Sequence, residues 1–123
     1  MPTPHKSTLV LGASANPQRY SYLAVNLLRE HGYPVIAIGQ KAGQVNDVEI
    51  ETLPRPIQDL DTVTLYLNPT HQVPYYSYLL DLHPGRVIFN PGTENPDLEE
   101  LLHKHNIASL RACTLVLLQT GQY

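Results

Sequence analysis

The sequence predicts an α/β fold, a doubly wound parallel sheet of about five strands with helices on both faces. Three observations predict it. Short apolar runs of strand length alternate with segments of helical periodicity. The runs are apolar almost throughout, as in strands covered on both faces, and do not alternate in and out. Glycine follows the first two runs, at Gly12 and Gly39.

The elements follow in order. Residues 9–11 form a strand that ends at Gly12. Residues 21–31 form a helix, because Leu23/Leu27 and Ala24/Leu28 share one stripe and Gly32 is a natural stop. Residues 34–39, 62–68 and 86–90 are apolar runs of strand length, the first rich in β-branched residues. Val73, Tyr76 and Leu80 define a helical stripe with Leu79 beside it. Pro74 sits near that helix's start, where a missing N–H costs little.

Leu98, Leu101, Leu102 and His105 repeat the spacing. Asn95 reads as the cap and Pro96 as the first helical residue, with Asp97, Glu99 and Glu100 at the positive end of the helix dipole. Residues 107–112 suit a last strand, and the tail 114–123 fits strand or helix equally. Residues 42–60, with Pro54, Arg55 and Pro56, lack a helical stripe and read as a loop with a short strand at 48–50.

Composition narrows the function classes. A chain of 123 residues with 42% hydrophobic content makes a single domain, 1–123, with a core that needs no disulfide. Eight Lys and Arg against eleven acids, a net charge of −3, speak against a nucleic-acid footprint or an adhesive membrane face. No apolar run has membrane-spanning length, and the first seven residues lack signal-peptide character. With a lone cysteine, Cys113, the expected location is the cytoplasm. His103 and His105, two apart, fall on different sides of a helix, so no metal site is expected there.

Residues 8–22, TLVLGASANPQRYSY, carry the candidate site. In a doubly wound sheet, ligands bind beyond the carboxyl ends of the strands, where strand order reverses. Gly12 lets backbone approach a ligand, and the N-terminus of the following helix attracts an anion. Ser14 adds a hydroxyl and Arg19 a forked, permanent positive charge. Each has a plainer reading: a turn glycine, a turn or cap serine, a solvated arginine. The second and third glycines of a dinucleotide fingerprint are absent, and the second strand ends Gly39-Gln40-Lys41 without an acid. A cation there favours a ligand with an additional phosphate near the ribose, CoA or NADP, over NAD, unless Lys41 is an ordinary surface lysine.

The residues GASANPQRYSYLAVNLLREHGYPV resemble the small stand-alone CoA-binding proteins, relatives of the CoA-binding domain of the succinyl-CoA synthetase α subunit. Gly12, Ala13, Ser14, Pro17, Arg19, Ser21, Gly32, Tyr33 and Val35 match that pattern in order and spacing. Asp61 before the third strand and Cys113 after the last extend the resemblance over nearly the whole chain. After the fourth strand, Phe89-Asn90-Pro91-Gly92 stands where the family commonly shows Trp-Gln-x-Gly.

The resemblance implies a Rossmann-like module binding CoA or acyl-CoA. Backbone N–H groups from Ala13 to Asn16, with Ser14 and Arg19, would hold the pyrophosphate and Lys41 would meet the 3′-phosphate, with Gly12, Pro17, Tyr20, Ser21 and Gln40 as further ligand-binding candidates. Residues 68–73, among them Asn68, Pro69 and Val73, would line the groove beside the adenine or pantetheine, with Leu67, Val73 and Tyr22 as its apolar wall.

The first expectation is therefore a non-catalytic binding protein. An NAD(P)-dependent or thioester-processing enzyme is the second; it would draw on Cys113, whose plainer reading is core, or on His71, whose plainer reading is a helix-start residue. An interaction module with a vestigial groove is the third, suggested by Tyr75, Tyr76 and Tyr78 on one helix. Folds of this size often dimerise, so a homodimer is among the expected states.

Overall fold

A computed structural model describes residues 6–123. Residues 1–5, part of the N-terminal stretch without signal-peptide character, lie outside the described residues. The chain runs β1 (Thr8–Leu11), α1 (Tyr20–Glu30), β2 (Val35–Ile38), β3 (Gly43–Val45), β4 (Val48–Glu51) and β5 (Thr62–Leu65). It continues through α2 (Pro69–Gln72), a 3-10 turn (Val73–Tyr75), α3 (Tyr76–Leu82), β6 (Arg86–Phe89), α4 (Pro96–Lys104), β7 (Ala108–Arg111) and α5 (Thr114–Gln119). The strands form one seven-stranded sheet in the order β3-β4-β2-β1-β5-β6-β7. Every neighbouring pair is parallel except β3 with β4.

The expected doubly wound fold is present. The short strand expected at 48–50 is β4, and one strand more than expected, β3, pairs with it from the segment that reads as a loop. Asn46 takes a left-handed conformation, φ 56°, and turns β3 into β4. Val45, Val48 and Ile50 face the core while Gln44 and Glu49 face solvent. That alternation is too short to stand out as a pattern. The Arg29 fork braces the hairpin on Asp47, with Nε 2.9 Å from Oδ1 and Nη2 2.8 Å from Oδ2. Those hydrogen bonds hold the Asp47 carboxyl below its ordinary range.

Successive residues of each central strand enter opposite cores. Leu9, Leu11, Val63, Leu65, Val87 and Phe89 pack with Leu79 of α3 and Leu98 and Leu102 of α4. Val10, Ala37 and Ile88 pack on the other face with Val25 and Leu28 of α1 and Leu118 of α5. The helix expected from Val73 onward is preceded by a short α2, which Pro69 starts, and opens as a 3-10 turn at Val73 and Pro74 before α3. Its buried residue is Leu79, and Val73 is 56% exposed. Asn95 caps α4 as expected, accepting the Leu98 N–H on Oδ1 at 3.2 Å.

A chain of buried polar side chains fixes the loops at the carboxyl end of the sheet. Asn90 Nδ2 donates to Thr64 Oγ1 at 2.7 Å and to the Leu65 carbonyl at 2.9 Å. Asn90 Oδ1 accepts the Thr114 N–H at 2.8 Å. This contact starts α5 and resolves the tail as a helix. Gln72 Nε2 donates to the carbonyls of Leu67 and Thr93, 2.8 Å each, and Gln72 Oε1 accepts from Asn95 Nδ2 at 2.9 Å. Buried polar groups of this kind are costly to orphan.

Asn90→Ala should therefore lower the unfolding free energy by about 2–4 kcal/mol, because Leu65 O and Thr114 N lose their partners in a buried place. Urea unfolding measures it. A loss below about 0.5 kcal/mol would mean that the belt does not hold the loops.

Candidate functional site

The strand order reverses at β1, which pairs with β2 on one side and β5 on the other. Beyond these three strand ends lies an open crevice of about 790 Å³. The backbone makes it possible. The Ile38 carbonyl accepts the N–H groups of both Gly12 and Ala13, at 2.9 Å each. The chain therefore turns sharply out of β1, and Gly12 sits at φ 95°. A Cβ on Gly12 would stand 2.9 Å from the carbonyl carbon of Tyr66, and one on Gly39 would stand 2.1 Å from the carbonyl oxygen of Ala13. Only glycine fits either place.

Ser14 Oγ accepts the Asn16 N–H at 3.1 Å, and Asn16 Oδ1 accepts the Gln18 N–H at 3.0 Å. These bonds shape the turn into α1. They leave the Ser14 hydroxyl proton free to donate outward. Among the described residues no hydrogen bond takes the N–H groups of Ser14, Ala15, Tyr20 or Ser21. Tyr20 and Ser21 open α1, whose cap, Arg19, offers no side-chain bond and whose first turn holds no acid. Such N–H groups attract an anion.

The crevice gathers Gly12, Ala13, Ser14, Asn16, Arg19, Tyr20, Ser21, Gln40, Lys41 and Asn68 from the sequence candidates. Pro17, Pro69 and Val73 do not line it. Pro17 and Pro69 are exposed on the turn and at the start of α2, and Val73 faces solvent in the 3-10 turn. Tyr22 is absent from the wall as well and packs on the α1 side of the core. Ala15, Ala42, Tyr66, Leu67, His71, Pro91, Gly92 and Thr93 complete the lining. Ala15, Leu67, His71 and the β6 loop have a signal in the sequence, whereas Tyr66 and Ala42 have none that marks them as lining residues.

Arg19 and Lys41 are both exposed and form no ion pair among the described residues, and no lining residue is an acid. In a chain of net charge −3, the crevice is a local concentration of positive charge. A smaller cavity of about 240 Å³ adjoins it, lined by Gly12, Gly39, Gln40, Leu67, Thr70, His71, Pro74 and Tyr75. Cys113 is half-buried at the start of α5 and lines neither cavity. No group of three or more His, Cys, Asp or Glu side chains suits a metal among the described residues, and no helix there is long and apolar enough to cross a membrane.

The model of the CoA binding domain family matches residues 6–119. The chain belongs to the CoA binding domain family. No curated protein matches the sequence. A crystal structure of an uncharacterized protein is similar at 46% identity, with a TM-score of 0.95 over 98% of this chain and 100% of that one. A Thermus thermophilus structure is similar at 23% identity, TM-score 0.85, over 97% of this chain and 91% of that one. A dinucleotide-forming acetyl-coenzyme A synthetase from Ca. Korarchaeum cryptofilum, solved with phosphate and ADP, shares the fold at 15% identity. Its TM-score is 0.70 over 90% of this chain and 26% of that one. For this member of the CoA binding domain family, the last two likenesses establish the fold alone.

Tyr66 shows how tightly the crevice floor is made. Its hydroxyl is buried and has no hydrogen-bond partner among the described residues, although Thr64 and Thr114 lie close by. Burial pushes its pKa up to about 12. Tyr66→Phe therefore removes a buried hydroxyl that has no partner to lose, and stability at pH 7 should hold or rise slightly. The folded state withholds a proton that the unfolded chain releases near pH 10. This contribution is complete below pH 10 and fades as pH climbs toward 12, by up to about 2–3 kcal/mol. Alkaline unfolding of Tyr66→Phe should be correspondingly shallower. Equal slopes in the two proteins would contradict the burial of the hydroxyl.

Proposed function

We propose that this chain binds CoA or an acyl-CoA in the crevice and does not transform it. One observation carries the reading: a member of the CoA binding domain family has a crevice with two unpaired cations, no acid and unclaimed backbone N–H groups. A pyrophosphate would lie on the N–H groups of Ser14, Ala15, Tyr20 and Ser21, with the Ser14 hydroxyl and Arg19 beside it. Lys41, directly after Gln40 at the end of β2, would meet the 3′-phosphate. The adjoining cavity, with Leu67, Pro74 and Tyr75, suits the adenine. The residues present thus fit the ligand's charged and apolar parts separately.

Binding without turnover is supported by the chemistry of the lining. It contains no carboxylate and no thiol, and Cys113 stands outside it. Thioester exchange through a cysteine calls for a thiol, and the one imidazole of the lining, His71, has no carboxylate in that lining to orient it as a base.

The test is a titration of CoA, dephospho-CoA, NADPH and NADH. CoA should bind most tightly and NADH weakest. A charge-assisted hydrogen bond is worth roughly 1.5–3 kcal/mol, so Arg19→Ala should weaken CoA by about 10- to 150-fold while melting stays unchanged. Lys41→Ala should narrow the gap between CoA and dephospho-CoA. NADH as the tightest ligand would overturn the assignment and favour an oxidoreductase.

A further inference from the structure

Among the described residues, His71 is the only one with a titratable side chain that lines both the crevice and the adjoining cavity. It stands in α2, whose Asn68 cap accepts its backbone N–H on Oδ1 at 3.0 Å. The imidazole itself is exposed and takes no hydrogen bond or ion pair among the described residues. A structural role is thus filled by the backbone and leaves the ring unused.

The charged groups around it are of one kind. The β1–α1 loop brings Arg19 to the shared space and the segment after β2 brings Lys41. The 3-10 turn brings Tyr75, and the other titratable lining residues are Tyr20 and Tyr66. The acids on neighbouring elements are engaged elsewhere. Glu94 Oε1 accepts the Gly92 N–H at 2.9 Å, and Glu51 is paired with Arg55, Nε to Oε1, at 2.6 Å. Nothing acidic in the lining would neutralise an imidazolium.

We propose that His71 is an anion-binding residue of this site, and that its protonation makes the affinity for a phosphate-bearing nucleotide depend on pH. The inference rests on the reading of the crevice as a CoA site. Neutral imidazole leaves two cations facing the ligand, and imidazolium supplies a third. Histidine changes charge between about pH 5 and 8, and the ligand's phosphomonoester loses its second charge only near pH 6. Acidification that stops above the phosphomonoester's own step therefore adds protein charge while ligand charge is nearly kept. At an exposed site a single added charge is worth a modest factor, and salt reduces it.

Calorimetric titration with CoA at pH 8.0 and 6.5, at low ionic strength, tests this in wild type, His71→Gln and His71→Lys. Wild-type affinity should rise about three- to tenfold on acidification. His71→Gln should keep the weaker affinity at both values, and His71→Lys the tighter one at both. Proton release by the ligand is common to all three proteins and cancels in the comparison. If His71→Gln retains the wild-type pH response, the role of His71 is overturned while the CoA site stands. If wild type binds no CoA at either pH, the reading of the crevice falls and this inference with it.

Discussion

The ligand side of the molecule depends on how closely three strand ends approach one another. Two N–H groups, of Gly12 and Ala13, share the Ile38 carbonyl, and Gly39 passes under the Ala13 oxygen with no room for a Cβ. Tyr66 lies against Gly12 on the other side. This close approach throws the next loop outward, so that its N–H groups face the crevice and not the sheet. Hydrogen-bonded backbone of this kind is pre-organised, and no reordering is required when a charged ligand arrives.

The buried polar belt gives that arrangement its floor. Asn90 joins β5, β6 and the start of α5, while Gln72 and Asn95 join α2, the β6 loop and α4. Side chains from distant parts of the sequence thus satisfy one another beneath the loops that line the crevice. The same sheet is closed at its opposite end by Tyr123. Its ring lies edge-on to Tyr33 at 5.0 Å, with the Arg86 guanidinium 4.6 Å from its centre, and its hydroxyl bonds to Thr8. Both ends of the sheet are therefore stapled by polar contacts between its strands and the segment from α5 onward, and the purely apolar layers lie between them.

The division between what the sequence discloses and what it conceals has a physical basis. Unbroken apolar strands such as β1 and β6, and capped helices such as α4, are written locally, and they were legible. Of the β3–β4 hairpin only the short strand at 48–50 shows in the sequence, since β3 places a single side chain, Val45, in the core and does not depart from loop composition. The tail was undecidable because α5 starts on a hydrogen bond from Thr114 to Asn90, 24 residues earlier. Within the site, the glycine turn, Ser14, Arg19 and Lys41 were legible from charge and spacing. Tyr66, Thr93 and Ala42 enter the lining only through folding. Val73 was misplaced because Pro74 converts its helical phase into a 3-10 turn that faces it outward.

The central claim is that free N–H groups at the end of β1 and the start of α1 receive the phosphates of a CoA ligand. Amide chemical shifts report on these groups one by one. On titration with CoA, the amides of Ser14, Ala15, Tyr20 and Ser21 should move most, with Lys41 and His71 close behind and the β7 edge unmoved. Saturating binding that left these four amides in place, or moved those of β7 and α4 instead, would contradict the account.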